Sequence, residues 1–588
     1  MTRDCGSVVE KFLEKSFPMN ARNSAALRRA IFLKTLKNCG VRTLVVSPNC
    51  AESAAFALAG TEIFGAKNVV PAADAHAAAF FALGLAKSTF RPVALAFSAG
   101  TADVSPALAE AQISGTPLIA VGVGNENGAG MPKTLAETRE AAISAFAQSA
   151  ENSVPVCVDF CAENSVAGTG QSPQSEKSDE ARGDFDLEKF CAVPRAPLRD
   201  FFRKIAPADA FPQFAALAGK KILILAGATP AGRDDTFFAD ALSRKICAPI
   251  LAAATHPLRR FPPARERVVE RFDAIFKAAA KPYAEDFSAL RPDAIFRIGE
   301  LPENEFLRAK IASLRETPIF VFNACADETA VPAGTNVVRI RARFRDVFGS
   351  VFQDFASKNP FPQTRAAAQF LESWMLADAR FKAKSEAFFR NSAAGTFALR
   401  GEKNAAGTPT EPQIARFLCE NVFEAETAIF VAAGNPLRDM NVYCPAGTRF
   451  WLFANRGANA ADGTLASALG VAHGCMEQTI LYTDDLALLR DANAFLLAPH
   501  FCGNLTIVLQ NSGSENALRN AAGTASACVR DTDFAQLAGA FGADFARAGT
   551  LAELKNALRN FRSHQGIHVV EIRTDAEISR KIRAELAR

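Results

Sequence analysis

The sequence predicts an α/β protein made of three doubly wound parallel-sheet domains. Three observations carry this reading. Short continuous apolar runs alternate with stretches of helical period, the alternation recurs in three separate blocks, and 588 residues at about 100–200 per domain make three domains.

In the first block, residues 43–48 (TLVVSP), 92–97, 117–123 and 154–160 read as buried strands. Residues 24–38 and 74–87 between them read as helices. Apolar strands without polar alternation require cover on both faces, which helices between parallel strands supply. Residues 165–183 (SVAGTGQSPQSEKSDEARG) have no apolar period and read as a linker. A second block holds strands at 222–227, 249–254, 294–298, 318–323 and 336–340. A charged helical connection follows from about 366 to 400. The third block holds strands at 428–434, 449–455, 479–485, 505–510 and 567–573. The expected division is 1–164, a linker at 165–200, 201–365, a helical connection at 366–425, and 426–588.

Composition narrows the class. Hydrophobic residues are 49% and charged residues 22%, as in an ordinary globular protein. Phe occurs 48 times against 3 Tyr and 2 Trp, so core positions are filled by rings that need no polar partner. A net charge of +4, spread along the chain, gives no nucleic-acid tail and no polybasic anchor. The 13 Cys are scattered without a Cys-x-x-Cys pair, which argues against a zinc site or a disulfide framework. The first 20 residues lack the apolar run of a signal peptide, and no uncharged apolar run reaches 18 residues. A cytoplasmic protein is expected, with no nucleic-acid or membrane partner.

The motifs point further. Residues 455–463 read Asn455-Arg456-Gly457-Ala458-Asn459-Ala460-Ala461-Asp462-Gly463, continuing into TLASALGV. This resembles the SNRGASGIDG segment of the MenD family of thiamine-diphosphate enzymes. Residues 82–87 (ALGLAK) resemble the helix after that family's catalytic segment. The run from Asp485 through Asp491 and Asn493 to residues 504–508 (NLTIV), and Gly434-Asn435 with Arg438-Asp439, resemble two further segments. The resemblance covers roughly residues 22–140 and 425–575.

The resemblance implies a pyrimidine-binding first domain, a central α/β domain and a diphosphate-binding third domain. It implies thiamine diphosphate and Mg²⁺ as cofactors, and 2-oxoglutarate and isochorismate as substrates, joined with loss of CO₂ in menaquinone biosynthesis. Its cleft is shared between subunits, so a homodimer or homotetramer is expected. Matched residue by residue, Gly434, Asn435, Asp484 and Asn511 would meet the cofactor, and Asp485, Ser512 and Ser514 would hold the metal. Arg438, Asn455 and Arg456 would bind substrate.

Several positions depart from the family pattern. The proton-relay Glu of an Asp-Glu-Arg segment is replaced in Asp74-Ala75-His76, and Ala75 can neither give nor take a proton. Asp484 stands where a Gly is expected, Ser512 where an Asn is expected, and Ala461 where a branched wedge is expected. A substrate-loop Ser-Arg has become Cys50-Ala51, and residues 122–131 lack the Arg expected there. Without the resemblance, Asp484 and Asp485 also read as a polar turn ending a strand, Cys50 as a buried apolar thiol, and His76 as an exposed or helix-start residue. Three functions are compatible with these residues: a MenD-like carboligase with a drifted site, a catalytically inactive binding or scaffold protein, or a different thiamine-diphosphate carboligase or decarboxylase lacking the Glu.

Overall fold

The structure is a computed structural model. It describes residues 19–124, 132, 134–160, 187–193, 217, 219–227, 233–279, 287–299, 301, 305–322, 335–340, 344, 347, 363–391, 408–422, 427–455, 462–475, 477–513 and 532–586.

The first sheet has five parallel strands, β1 (Leu44–Val46), β2 (Val69–Pro71), β3 (Val93–Ser98), β4 (Leu118–Val123) and β5 (Pro155–Phe160), in the order β2-β1-β3-β4-β5. Helices α1 (Met19–Cys39), α2 (Ala51–Phe64), α3 (Ala75–Thr89), α4 (Ser105–Ser114) and α5 (Leu135–Asn152) connect and cover it. Successive strand side chains point to opposite faces. Val45 and Leu95 therefore join one core with α3, while Leu44, Val46, Ala94 and Ala96 join another under α1 and α5.

The central sheet has six parallel strands, β6 (Ile222–Ala226), β7 (Ile250–Ala252), β8 (Val268–Val269), β9 (Ala294–Ile298), β10 (Ile319–Phe322) and β11 (Val337–Ile340), in the order β11-β10-β9-β6-β7-β8. Its helices include α6 (Arg233–Ile246), α7 (Phe272–Ala279) and α8 (Glu305–Ser313). The 27-residue connection α9 (Arg365–Asn391) lays Phe370 and Trp374 into the central core. Residues 392–400 of the expected connection lie outside the described residues.

The third sheet has β12 (Ala428–Val431), β13 (Trp451–Ala454), β14 (Thr479–Asp484), β15 (Asn504–Asn511), β16 (Asp544–Ala548) and β17 (Gly566–Arg573), all parallel, in the order β13-β12-β14-β15-β17-β16. Around it lie α10 (Glu411–Asn421), α11 (Asn435–Tyr443), α12 (Thr464–Gly474), α13 (Asp485–Arg490), α14 (Phe534–Ala540), α15 (Leu551–Phe561) and α16 (Ala576–Leu586).

One core spans the first and third domains. Phe430, Leu481 and Leu505 from the third sheet share it with Val45 and Leu95, and α3 crosses α12 at its centre. Two glycines set how close the helices come. A Cβ on Gly84 would sit 1.9 Å from the Ser467 carbonyl oxygen, and one on Gly470 would sit 2.0 Å from that of Phe81. Lys87 ties the same seam: its buried Nζ donates to Glu110 at 2.8 Å, to the Ala454 carbonyl at 2.9 Å and to Asn455 Oδ1 at 2.9 Å.

The central and third domains are welded by Arg259, which is fully buried. Its guanidinium donates to the carbonyls of Ala252, Glu270, Asn441 and Cys444 at 2.7–2.9 Å. Glu270 accepts from the Ala446 amide at 2.6 Å.

Candidate active site

In an open α/β sheet a ligand crevice forms beyond the carboxyl ends of the strands, where chain order reverses direction. In the third sheet that point lies between β12 and β14, because β12 leads outward to β13 while β14 returns on its other side. Val431 pairs with Tyr482, and the Ala432 amide donates to the Tyr482 carbonyl at 2.9 Å. Gly434 and Asp484 therefore leave neighbouring strands at the same level. Asp484 in turn pairs with Gln510, so Asp485 and Ser512 leave β14 and β15 side by side. The candidate residues 434, 484, 485 and 512 are drawn to one crevice by strand register alone.

Gly434 takes φ +94°, a conformation that strains any residue with a Cβ, and nothing lies within 4 Å of where that Cβ would be. It precedes Asn435, the first residue of α11, with Pro436 in the first turn, so the helix N-terminus faces open space.

Asp485 opens α13 rather than closing β14, correcting the strand expected to run through 485. It is 4% exposed and accepts from the Leu486 amide at 2.8 Å. Asp484 caps the same helix, accepting from the Ala487 amide at 2.8 Å. Where the resemblance expects a Gly, a carboxylate thus takes one of the free amides of the helix start. Burial, and secondarily the charge of Asp485, push its carboxyl up to about 6. Asn511 is committed elsewhere: its amide donates to buried Glu571 at 2.6 Å, and its oxygen accepts from Gly513. Arg456, Ala461 and Ser514 lie outside the described residues. Among the described residues no group of three or more His, Cys, Asp or Glu side chains forms a metal cluster.

Asn455, expected at the substrate, is a clamp instead. It is 1% exposed, its oxygen accepts from Lys87, and its amide donates to Ser467 Oγ at 2.9 Å and to the carbonyls of Asp462 and Gly463. A substrate would have to displace those bonds to reach it. It ties the end of β13 to Asp462, Gly463 and Ser467 at the start of α12.

On the first domain, Asp74 caps α3, accepting from the amides of His76 and Ala77, and also accepts from Asn493 of the third domain. Ala75 begins the helix and is buried. His76 is neither exposed nor a bare helix start: Nε2 lies 3.1 Å from Asp462 Oδ1, its ring packs on Phe80, and both partners are about one-fifth exposed. Asp491 is fully buried below them. One of its oxygens accepts from the Ala466 amide at 2.8 Å while the other has no partner, and burial pushes its carboxyl up to about 6. Cys50 is half-buried and caps α2, its sulfur 3.4 Å from the Ser53 amide and from Ser53 Oγ. Burial works to raise the thiol, but hydrogen bonds from Ser53 and Ser98 outweigh it and hold it below its ordinary value. The apolar reading of Cys50 is corrected accordingly.

Sequence reasoning missed a buried network under the crevice. Arg583 of α16 makes a two-pronged bond to Asp439, at 2.8 and 2.6 Å, and reaches Glu411 as well. One guanidinium cannot compensate two buried carboxylates fully. Burial raises Glu411 to about 7 against the pull of Arg583, with Asp439 and Asp484 adding to the rise. Tyr482 donates to Gln510 at 2.6 Å just above it. The sequence signal for this network was Arg438-Asp439, read only for its Arg.

Comparisons with known proteins fit this geometry. A family profile described as "Thiamine pyrophosphate enzyme, N-terminal TPP binding domain" matches residues 29–134. The chain is 29% identical to the 2-succinyl-5-enolpyruvyl-6-hydroxy-3-cyclohexene-1-carboxylate synthase of Synechococcus elongatus, over 97% of this chain and 98% of that protein. It is similar to synthases of the same name from Trichormus variabilis, at 26% over 97% and 98%, and Acaryochloris marina, at 25% over 95% and 97%.

Proposed function

We propose, on the premise that this chain is a divergent member of the MenD family of thiamine-diphosphate enzymes, that it binds thiamine diphosphate with Mg²⁺ and joins a decarboxylated 2-oxo acid to a cyclic acceptor acid. The observation that carries the reading is the register that brings Gly434, Asp485 and Ser512 to the switch point of the third sheet.

The diphosphate end of the cofactor fits these residues. Mg²⁺ takes hard oxygen ligands, which Asp485 and Ser512 supply, and the open space around Gly434 admits a bulky anion beside the start of α11. The aminopyrimidine end does not fit the usual relay, because Ala75 has no carboxylate. When bound, thiamine diphosphate supplies the electron sink for decarboxylating a 2-oxo acid. Asp485 would hold the metal, and Arg438, exposed on α11, would pair with a substrate carboxylate. The His76–Asp462 contact would hold the two domains in register beside Ala75. 2-Oxoglutarate and isochorismate are the substrates that the family resemblance implies, and assembly is at least a dimer.

A second reading, an inactive cofactor binder, is favoured by one observation: the relay position is Ala75 while Asp484 adds a half-buried carboxylate at the helix start. Calorimetric titration with thiamine diphosphate and Mg²⁺ comes first. Absence of heat at millimolar cofactor overturns both readings. If the cofactor binds, CO₂ release from 2-oxoglutarate, with and without isochorismate, separates them: turnover establishes the carboligase, and binding without release leaves the inactive binder.

A further inference from the structure

A cavity of about 210 Å³ opens at the amino ends of β12 and β14, beside α10 and α15 of the third domain. Thr427, just before β12, and Gln478, just before β14, line it. The crevice of Gly434 and Asp485 lies at the opposite, carboxyl ends of the same strands. The six residues of β14 hold the two sites roughly 20 Å apart.

One side of the cavity is cationic. Lys555, Arg559 and Arg562 recur at i, i+4 and i+7 along α15 and its cap, so they share a face. Lys555 and Arg559 make no ion pair among the described residues, and the described lining contains no Asp or Glu. Cations in the last turn of a helix offset its dipole, which accounts for Arg559 and Arg562 but not for the other lining groups.

Two of those groups are buried, polar and incompletely bonded. Thr427 is 6% exposed, and its hydroxyl makes no hydrogen bond among the described residues. Gln478 is 7% exposed, and its amide nitrogen donates to Thr506 Oγ1 at 2.7 Å and to the Leu558 carbonyl at 3.2 Å. A carbonyl only accepts, so the nitrogen is fixed on that side, and the amide oxygen is left without a partner among the described residues. Buried polar atoms are ordinarily hydrogen-bonded, and these two line an unfilled space. Phe417, Val422 and Ile480 supply apolar lining.

These groups define a ligand. Three cations with no acid beside them suit a dianion better than a single carboxylate. The Gln478 oxygen calls for a donor, and the Thr427 hydroxyl can meet either a donor or an acceptor. The volume falls below the range of about 300–1,000 Å³ usual for drug-sized ligands, so a nucleotide is too large. We propose that this cavity binds a small phosphate monoester that carries a hydroxyl group. Its phosphate meets Lys555 and Arg559, and its hydroxyl meets Gln478 and Thr427. The site does not depend on the thiamine-diphosphate reading of the crevice.

Equilibrium dialysis of the full chain with labelled glycerol phosphate tests this, with inorganic phosphate and thiamine diphosphate plus Mg²⁺ as competitors. Saturable binding is expected. Arg559→Met, at an exposed position of α15, is expected to weaken it about tenfold, and Thr427→Val about threefold or more. Arg308→Met, on α8 outside this cavity, is expected to leave it unchanged. Thermal melts verify that each variant folds. Inorganic phosphate is expected to compete more weakly than the unlabelled ester, and thiamine diphosphate with Mg²⁺ not at all. Absence of saturable binding overturns the proposal, as does binding that neither cavity variant weakens. Inorganic phosphate competing as well as the ester overturns it too, since charge alone would then hold the ligand. Displacement by thiamine diphosphate with Mg²⁺ would put the ester in the crevice instead, and also overturns it.

Discussion

The seam between α3 and α12 and the crevice at the end of β14 belong to the same two domains but obey different constraints. At the seam, backbone meets backbone: a Cβ at Gly84 or Gly470 would lie about 2 Å from a carbonyl oxygen that cannot swing away. The crevice is bounded by side chains at strand ends, beside open space. There Ala75 and Asp484 stand where the family pattern has Glu and Gly, and both fit locally, Ala75 as a good first helical residue and Asp484 as a cap. The difference shows that folding and chemistry constrain separate residues here. Ala can stand at position 75 without loosening the join between the domains.

That comparison breaks first at Ala75. If the missing carboxylate is all that slows a cofactor-bearing crevice, Ala75→Glu raises the rate of 2-oxo acid decarboxylation by about 10²- to 10⁴-fold, the usual worth of a positioned acid or base. Initial rates of CO₂ release on native and variant chains decide it. An unchanged rate would mean that Asp484 or Ser512, not the relay, limits the site.

The next largest effect belongs to the seam. Lys87→Met leaves Glu110 buried without its cation and is expected to cost about 3–5 kcal/mol. Denaturant midpoints with unchanged slope measure the loss, and a loss below about 1 kcal/mol would show that apolar packing alone holds the domains together. Gly84→Ala is expected to cost about 1–3 kcal/mol or more, because the helices must part to admit a methyl group. Gly100→Ala is the contrast: its φ is +83° with nothing within 4 Å, so only backbone strain of about 1–2 kcal/mol opposes it. Equal losses at the two glycines would dissolve the distinction between contact and conformation.

The fold was legible where strands are long and central. Runs such as residues 222–226 (ILILA) are buried on both faces and so read as continuous apolar segments. The strands missed were β2 and β8, of three and two residues, and β16, an edge strand in which only Ala548 is buried. Too few apolar residues mark such elements. Gly434, Asp485 and Ser512 could be singled out because they follow strand ends within matched motifs. What escaped were roles created by distant partners. Lys87 ends an Ala-rich helix and gives no hint of Glu110 or Asn455, and Asn455 looks like a ligand contact until Lys87 and Ser467 are seen to occupy its amide.

Glu411 offers the smallest and most local test, since its burial is structural rather than catalytic. Its folded carboxyl is raised to about 7 from an ordinary 4.5, with burial the main cause. A raised acid prefers the protonated form in the folded state. Its stabilising contribution is therefore complete below pH 4.5 and is lost as pH rises through 7. Glu411→Gln fixes the neutral form. The native chain should then lose stability relative to the variant as pH rises across that window, by no more than about 1.4 kcal/mol per pH unit. Denaturant midpoints of both chains at matched pH values measure it. A difference that moves the other way would mean that Arg583 holds Glu411 ionised and leaves Asp439 the less compensated carboxylate. The charge beneath the crevice would then sit closer to α11 and Arg438 than to the start of α10.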